Sequence, residues 1–302
     1  MYDQTDPRAA LAAAPAGQTP PPTAFAPAQY ARFYEAEPQE DDAGGRHWYA
    51  RAQNFLVAYT EARLGAVLAR QAQPDEYGVL LPDADSEVAV EVAGQRHVLA
   101  GNSLAFVPPG DSRIEVLRPG RVVRLFTTRA ADLAARCSNA AAFAEPQPNI
   151  PPLRPWPAPP GGLIYRSYSL DVPPDPTRFG RIWRCTTLMV NVLDPADGPR
   201  DPRKMSPHHH DDFEQGSLVL DGAYTHHLRW PWMTDMTIWR EDEHEYCRGA
   251  SLTVIPPPSI HTSEAKEPGQ MVDLFCPPRL DFSSKPGWVL NAADYPMPSS
   301  SP

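Results

Sequence analysis

The sequence predicts an all-β chain built as two similar small sandwiches or barrels in tandem, on three observations. Proline is abundant, at 38 of 302 residues, where average usage gives roughly 15. Proline is excluded from helix interiors and central strands, so this content implies many edges and turns and argues against a helical bundle. Short apolar runs with turn punctuation recur at roughly the spacing of sandwich and barrel strands. Finally, both halves carry the same phrase: Gly101-Asn-Ser-Leu-Ala-Phe-Val-Pro108 and Gly249-Ala-Ser-Leu-Thr-Val-Ile-Pro256. A repeat of this kind is evidence for duplication.

The elements follow in order. Residues 1–46 are rich in Ala, Pro, Gln and acidic side chains and read as a mobile arm or one laid over another subunit; Ala9–Ala14 suits a turn or so of helix, which Pro15 stops and Pro20, Pro21 and Pro22 keep from restarting. Over 47–129, Asn54–Tyr59 and Gly65–Ala69 read as strands. Glu87–Val92 alternates at period two before an Ala93-Gly94-Gln95 turn. Leu104–Val107, Ile114–Leu117 and Val122–Phe126 complete the first unit. Residues 130–162 form a linker, with a short Ala-rich helix at Ala130–Arg136 and then dense proline. Over 163–280 the rhythm resumes with one long strand, Ile182–Val192. Ser217–Leu220 follows, ending at Asp221-Gly222, then Ser251–Ile255 and Met271–Phe275. Residues 281–302 form a tail that wraps a surface.

Composition bounds the function. Hydrophobic residues make up 42% of the chain, enough for packed cores. The net charge is −10 with no basic patch, which argues against a nucleic-acid partner. Cys137, Cys185, Cys247 and Cys276 are far apart and form no CxxC pair, as expected of reduced thiols in a cytoplasmic protein. No signal-peptide apolar segment and no membrane-length apolar run is present. A soluble cytoplasmic protein with a small-molecule substrate is expected, with a homodimer as a further expectation, since exposed strand edges need covering.

One segment carries chemistry: Ser206-Pro-His208-His-His210-Asp-Asp-Phe-Glu214-Gln215. On a strand alternate residues share a face, so His208 and His210 point one way and His209 the other. Two imidazoles with a carboxylate or amide nearby form a ligand set for iron, manganese, nickel, copper or zinc. His261, just after Pro256-Pro-Pro258, is a further candidate from a later strand.

These residues resemble the two motifs of the cupins. The first reads His-x-His, three or four residues, Glu, six residues, Gly. The second reads Gly, about five residues, Pro-x-Gly, two residues, His. Here the first is His208, His210, Glu214 or Gln215, and Gly222; the second is Gly249, Pro256, Pro258 in place of Gly, and His261. Spacing to Gly222 favours Gln215 as the ligand and charge favours Glu214, and both stay open. The resemblance implies a bicupin, two jelly-roll barrels with a metal-free N-terminal one, because Arg113 stands where His261 stands in the second half and His97 is alone. It implies one divalent transition metal, Fe(II) before Zn, Ni or Mn, and a dioxygenase-type oxidoreductase. The alternatives are a sugar or sugar-acid isomerase or epimerase and a non-catalytic small-molecule-binding cupin. His226 and His227 are candidate catalytic groups, one of which must face inward on a regular strand. Arg113 reads first as a surface or core-edge residue, with an anion contact as the alternative; Trp230, Trp232 and Trp239 read first as packing and edge features, and favour the oxygenase if they face the interior.

Overall fold

A computed structural model describes residues 24–298. Its strands form two barrels of two sheets each. In the N-terminal barrel a large sheet runs in the order Glu40–Asp42, Gly45–Arg51, Phe55–Ala62, Gly120–Thr127, Tyr77–Leu81, Ser103–Val107, Arg166–Ser169 from one edge to the other. A smaller sheet of Val67–Gln73, Gly110–Arg118, Glu87–Val92 and Gln95–Ala100 faces it. In the C-terminal barrel the large sheet is Gln29–Arg32, Ser251–Ile255, Glu214–Asp221, Gln270–Cys276, Met189–Val192 and Arg181–Arg184. Its partner is a three-stranded sheet of Glu243–Arg248, Ala223–Arg229 and Ile260–Ala265.

The large sheets pack against each other. Val57, Tyr59, Leu80, Leu104, Val123 and Leu125 from one barrel share a single core with Trp183, Val190, Leu218, Leu252 and Leu274 from the other. Strands in these sheets are therefore covered on both faces, and Tyr77–Leu81 and Ser103–Val107 are buried at every position. That is why they read as continuous apolar runs, whereas alternation is the mark of a strand with one wet face. A second core of Leu56, Val79, Val90, Ile114, Val122 and Phe126 fills the inside of the N-terminal barrel.

Each barrel borrows a strand from the other half of the chain. Gln29–Arg32 pairs antiparallel with Ser251–Ile255, so the edge of the C-terminal sheet is covered by residues from the N-terminus. Tyr30 donates to Glu243 at 2.6 Å, and Arg32 pairs with Glu245 at 2.5 Å. Arg166–Ser169 in turn covers Ser103–Val107 of the N-terminal barrel. The expectation of a mobile arm is thus corrected for 29–32 and 40–42, which are paired strands; residues 1–23 lie outside the described part. The expected C-terminal unit likewise begins with a strand that belongs to the N-terminal sheet. These corrections share a cause: which strand covers a sheet edge is decided by pairing in three dimensions and not by the local sequence.

Two smaller expectations are also revised. Ile182–Val192 is two strands, Arg181–Arg184 and Met189–Val192, joined by a turn at 185–188 in which the Cys185 amide donates to the Leu188 carbonyl. The helix at 130–136 shrinks to Ala131–Ala134. Among the described residues no helix is long and apolar enough to cross a membrane.

Candidate metal centre

Three imidazoles and one amide converge at the mouth of the C-terminal barrel. The extended segment carrying His208 bridges the strand Ile260–Ala265: the His208 amide donates to the His261 carbonyl at 3.1 Å, and the reverse bond is 2.8 Å. Ring centroids of His208 and His261 lie 4.4 Å apart, of His210 and His261 5.0 Å, and of His208 and His210 6.5 Å. His209, on the other side of the segment, is exposed and contacts Asp211 at 3.1 Å, as alternation requires. His210 and His261 are buried, and His208 stands on the open rim.

Glu214 and Gln215 separate cleanly. Gln215 points into the barrel, where its Oε1 is 3.4 Å from His210 Nε2 and 3.3 Å from His261 Nε2. Its amide orientation is fixed from behind: Nε2 donates to Ser217 Oγ at 3.1 Å and to Asp273 Oδ1 at 3.1 Å. Glu214, the neighbouring residue, faces the opposite side. Its carboxylate accepts from the Gln53 amide at 2.9 and 3.0 Å and from the Asn54 amide at 3.2 Å, in the turn joining two strands of the N-terminal barrel. The candidacy of Glu214 as a metal ligand is therefore corrected: strand alternation sends it to the barrel–barrel interface. Burial pushes its carboxyl up to about 7.

The protonation pattern tests whether these groups suit a cation. Nδ1 of His208 lies 2.9 Å from the Ser206 carbonyl, that of His210 2.9 Å from the Phe213 carbonyl, and that of His261 3.0 Å from the Ser259 carbonyl. A carbonyl only accepts, so each Nδ1 carries the proton and each Nε2 presents a lone pair. Burial first, and then the neighbouring cationic groups, push His210 down to about 2; burial pushes His261 down to about 4. At neutral pH two Nε2 lone pairs thus face the Gln215 carbonyl oxygen with no proton between them. Acceptors gathered without a donor are costly in a buried site, and a cation removes the cost. Imidazoles fixed through Nδ1 to backbone carbonyls are the usual support of metal ligands. Among the described residues no three His, Cys, Asp or Glu side chains have the spacing of an assembled metal cluster. The three rings share one mouth without being drawn together as a ligand sphere, with His208 and His210 centroids 6.5 Å apart; the donor chemistry of His208, His210, Gln215 and His261, three imidazoles and an amide oxygen, suits a divalent metal.

Asp273 and Ser217 were missed in the sequence. Ser217 donates to Asp273 at 2.8 Å, and burial pushes the Asp273 carboxyl up to about 6. The available signal was a lone Asp at an inward position of the otherwise apolar Gln270–Cys276.

His226 and His227 also divide by alternation. His226 is fully buried, its Nδ1 is 2.9 Å from Ser263 Oγ, and its Nε2 has no partner. Burial and then the His261 and His227 neighbours push it down to about 3. His227 points to the outer surface, between His244 at 2.7 Å and Glu264 at 3.3 Å; its catalytic candidacy is corrected. Two of the tryptophans do not line the interior: Trp232 and Trp239 stack on each other at 4.9 Å, 73% and 38% exposed, along an outer groove, whereas Trp230 is buried in a small cluster with Phe25, Leu228 and Ile255. In the N-terminal barrel Arg113 faces outward to Glu115 at 3.1 Å and Glu91 at 3.7 Å, in keeping with its reading as a surface residue and against the alternative of an anion contact at the barrel mouth.

No family model and no curated protein matches the sequence. Solved structures do match the fold. An oxalate decarboxylase of Lactobacillus farciminis in complex with formate superposes with a TM-score of 0.54 at 13% identity, covering 83% of this chain and 86% of that one. A single-residue variant of the oxalate decarboxylase of Bacillus subtilis gives 0.53 at 12%, covering 82% and 76%. The vicilin of Corylus avellana (hazelnut) gives 0.53 at 13%, covering 82% and 85%.

Proposed function

The chain has the tandem cupin fold, and from that premise we propose that its C-terminal barrel is a mononuclear divalent-metal centre of the non-heme dioxygenase type, acting on a small organic substrate. The observation that supports this reading is the convergence of His210 and His261 Nε2 on Gln215 Oε1, with the His208 ring 4.4 Å from that of His261 and all three Nδ1 atoms bonded to backbone carbonyls. Bound there, Fe(II) supplies oxygen activation and Lewis-acid polarisation of a chelating substrate. The protein's own contributions are distinct. His208, His210, His261 and Gln215 are all neutral donors, so they leave the full charge of the ion to attract an anionic oxygen ligand such as an enolate or carboxylate. Asp273 and Ser217 hold the Gln215 amide with its oxygen forward. Leu228, Ile255 and Phe275 supply buried apolar wall that excludes water.

A second reading, a metal-dependent isomerase or epimerase, is favoured by one observation: His226 Nε2 is buried and unpartnered in the same barrel, where it can take or give a proton. The neighbours named as oxalate decarboxylases and the vicilin differ widely in what they are, and fold alone does not choose between readings.

The test is elemental analysis of the full chain, purified without chelator, for wild type and for His210→Ala and His261→Ala. One equivalent of iron lost in both variants, with oxygen uptake by the iron form on a panel of small diketones and carboxylic acids, supports the dioxygenase. One equivalent of zinc, nickel or manganese without oxygen uptake moves the assignment to the isomerase. Metal retained in both variants overturns the centre.

A further inference from the structure

The two barrels correspond residue by residue, and the correspondence points to a second site. Gly78 pairs with Leu125 as Gly216 pairs with Leu274. Glu76-Tyr77-Gly78 is thus the counterpart of Glu214-Gln215-Gly216. Glu76 reaches into the other barrel as Glu214 does, accepting from the Thr186 amide at 3.0 Å and its hydroxyl at 2.6 Å. By the same register Arg124, opposite Val79, occupies the level that Asp273, opposite Ser217, holds in the C-terminal barrel.

Arg124 lies inside the N-terminal barrel, between the core residues Val122 and Phe126, and is only 4% exposed. Its Nε has no hydrogen-bond partner. The ionisable groups around it are the Tyr49 phenol, within hydrogen-bonding reach of the guanidinium, the Tyr77 phenol and a second guanidinium, Arg70. Arg70 is already committed, to Asp132 at 2.6 and 2.9 Å and to Gln73 at 3.0 Å. Both guanidiniums lie against the Phe126 ring, with centroid distances of 5.4 and 5.8 Å. The buried carboxylate on this side, Asp75, accepts from Thr127 at 2.6 Å and Gln73 at 3.3 Å. Among the described residues no carboxylate pairs with Arg124. A buried, unpaired guanidinium is strongly destabilising unless an anion accompanies it.

From this placement we infer that the N-terminal barrel is a binding site for a small planar carboxylate, with Arg124 as its counter-ion. The C-terminal barrel gathers neutral lone pairs that call for a cation; its counterpart holds, at the same depth, a cation that calls for an anion. The planar fork of the guanidinium can hold a carboxylate, or its isostere nitrate, through two parallel N–H···O bonds.

The experiment is thermal unfolding of the full chain in sodium acetate, nitrate or sulfate, with ionic strength held constant by chloride, for wild type, Arg124→Met and, as an outer-face control, Arg113→Met. In acetate, wild type and Arg113→Met should gain about 2–4 °C in a saturable manner at roughly tenfold excess over half-saturation. Arg124→Met should show no such gain. A response to acetate, with or without nitrate, supports the site; a response to nitrate alone, or an equal response to sulfate, overturns the planar carboxylate. A flat wild-type response, or a response retained in Arg124→Met, overturns the site. Should Arg124→Met not fold, line broadening of 13C-acetate by wild type decides: saturable broadening that excess unlabelled acetate removes supports the site, and none overturns it. His261→Ala should keep the response, which separates this inference from the metal reading.

Discussion

Glu214 and Gln215 are adjacent in sequence and should fail in opposite ways. Glu214 is 1% exposed, and its carboxylate accepts from two backbone amides, Gln53 and Asn54. Glu214→Ala leaves both amides buried without an acceptor. Each stranded group costs about 1–3 kcal/mol, so the loss should be about 2–6 kcal/mol before any cavity is counted. Glu214→Gln keeps one acceptor oxygen and should cost about half as much. Gln215→Ala removes an oxygen that meets only two imidazole acceptors in the metal-free protein, but also the donor to Ser217 and Asp273; Asp273 keeps its bond from Ser217, so metal-free stability should fall by less than in Glu214→Ala, while metal binding weakens. The assay is urea unfolding of the metal-free proteins, with metal stoichiometry measured on the same preparations. The expected result is a double dissociation: Glu214→Ala the less stable of the two but metal-competent when folded, Gln215→Ala the more stable of the two but metal-poor. A Glu214→Ala protein of wild-type stability that has lost its metal would refute the assignment of these two side chains to opposite faces.

Three further outcomes follow from the same geometry. His226 sits at about 3 in the folded protein against an ordinary value near 6.5, so the folded state binds fewer protons than the unfolded one below pH 6.5. Its contribution is present above that pH and is lost as pH falls toward 3; relative to His226→Gln, wild type should lose about 2 kcal/mol between pH 7 and pH 5, measured by denaturant titration at both. Gln215→Glu would place a second carboxylate against Asp273 in place of the amide that now donates at 3.1 Å; the metal-free variant should melt lower than wild type at pH 8, and excess Zn2+ should raise its Tm more than it raises the wild type's. Removal of residues 1–32 strips the strand that covers Ser251–Ile255; size-exclusion chromatography should show self-association, and a monodisperse, equally stable product would contradict the edge-covering role.

Much of the architecture is written locally in the chain. Proline content, strand rhythm and the repeated Gly-to-Pro phrase specify two β units, because turn residues and the period of two are local properties. The same period separates His208 and His210 from His209, and it guarantees that one member of each pair, Glu214 or Gln215 and His226 or His227, faces inward. Which one depends on the face that meets the other barrel or the outer surface, and packing alone decides that: the Gln53–Asn54 turn receives Glu214, while Ser263, across the sheet, meets His226. The edge strands Gln29–Arg32 and Arg166–Ser169 were likewise illegible, since each covers a sheet belonging to the other half of the chain. Trp232 and Trp239, which read first as packing and edge features, stack on an outer groove, since hydrophobicity records a preference for burial and not which surface provides it. Arg124 passes in the sequence as one polar residue in an apolar strand. Its isolation from every carboxylate in the described chain is a property of three dimensions, because charge pairing is set by distances that folding alone creates.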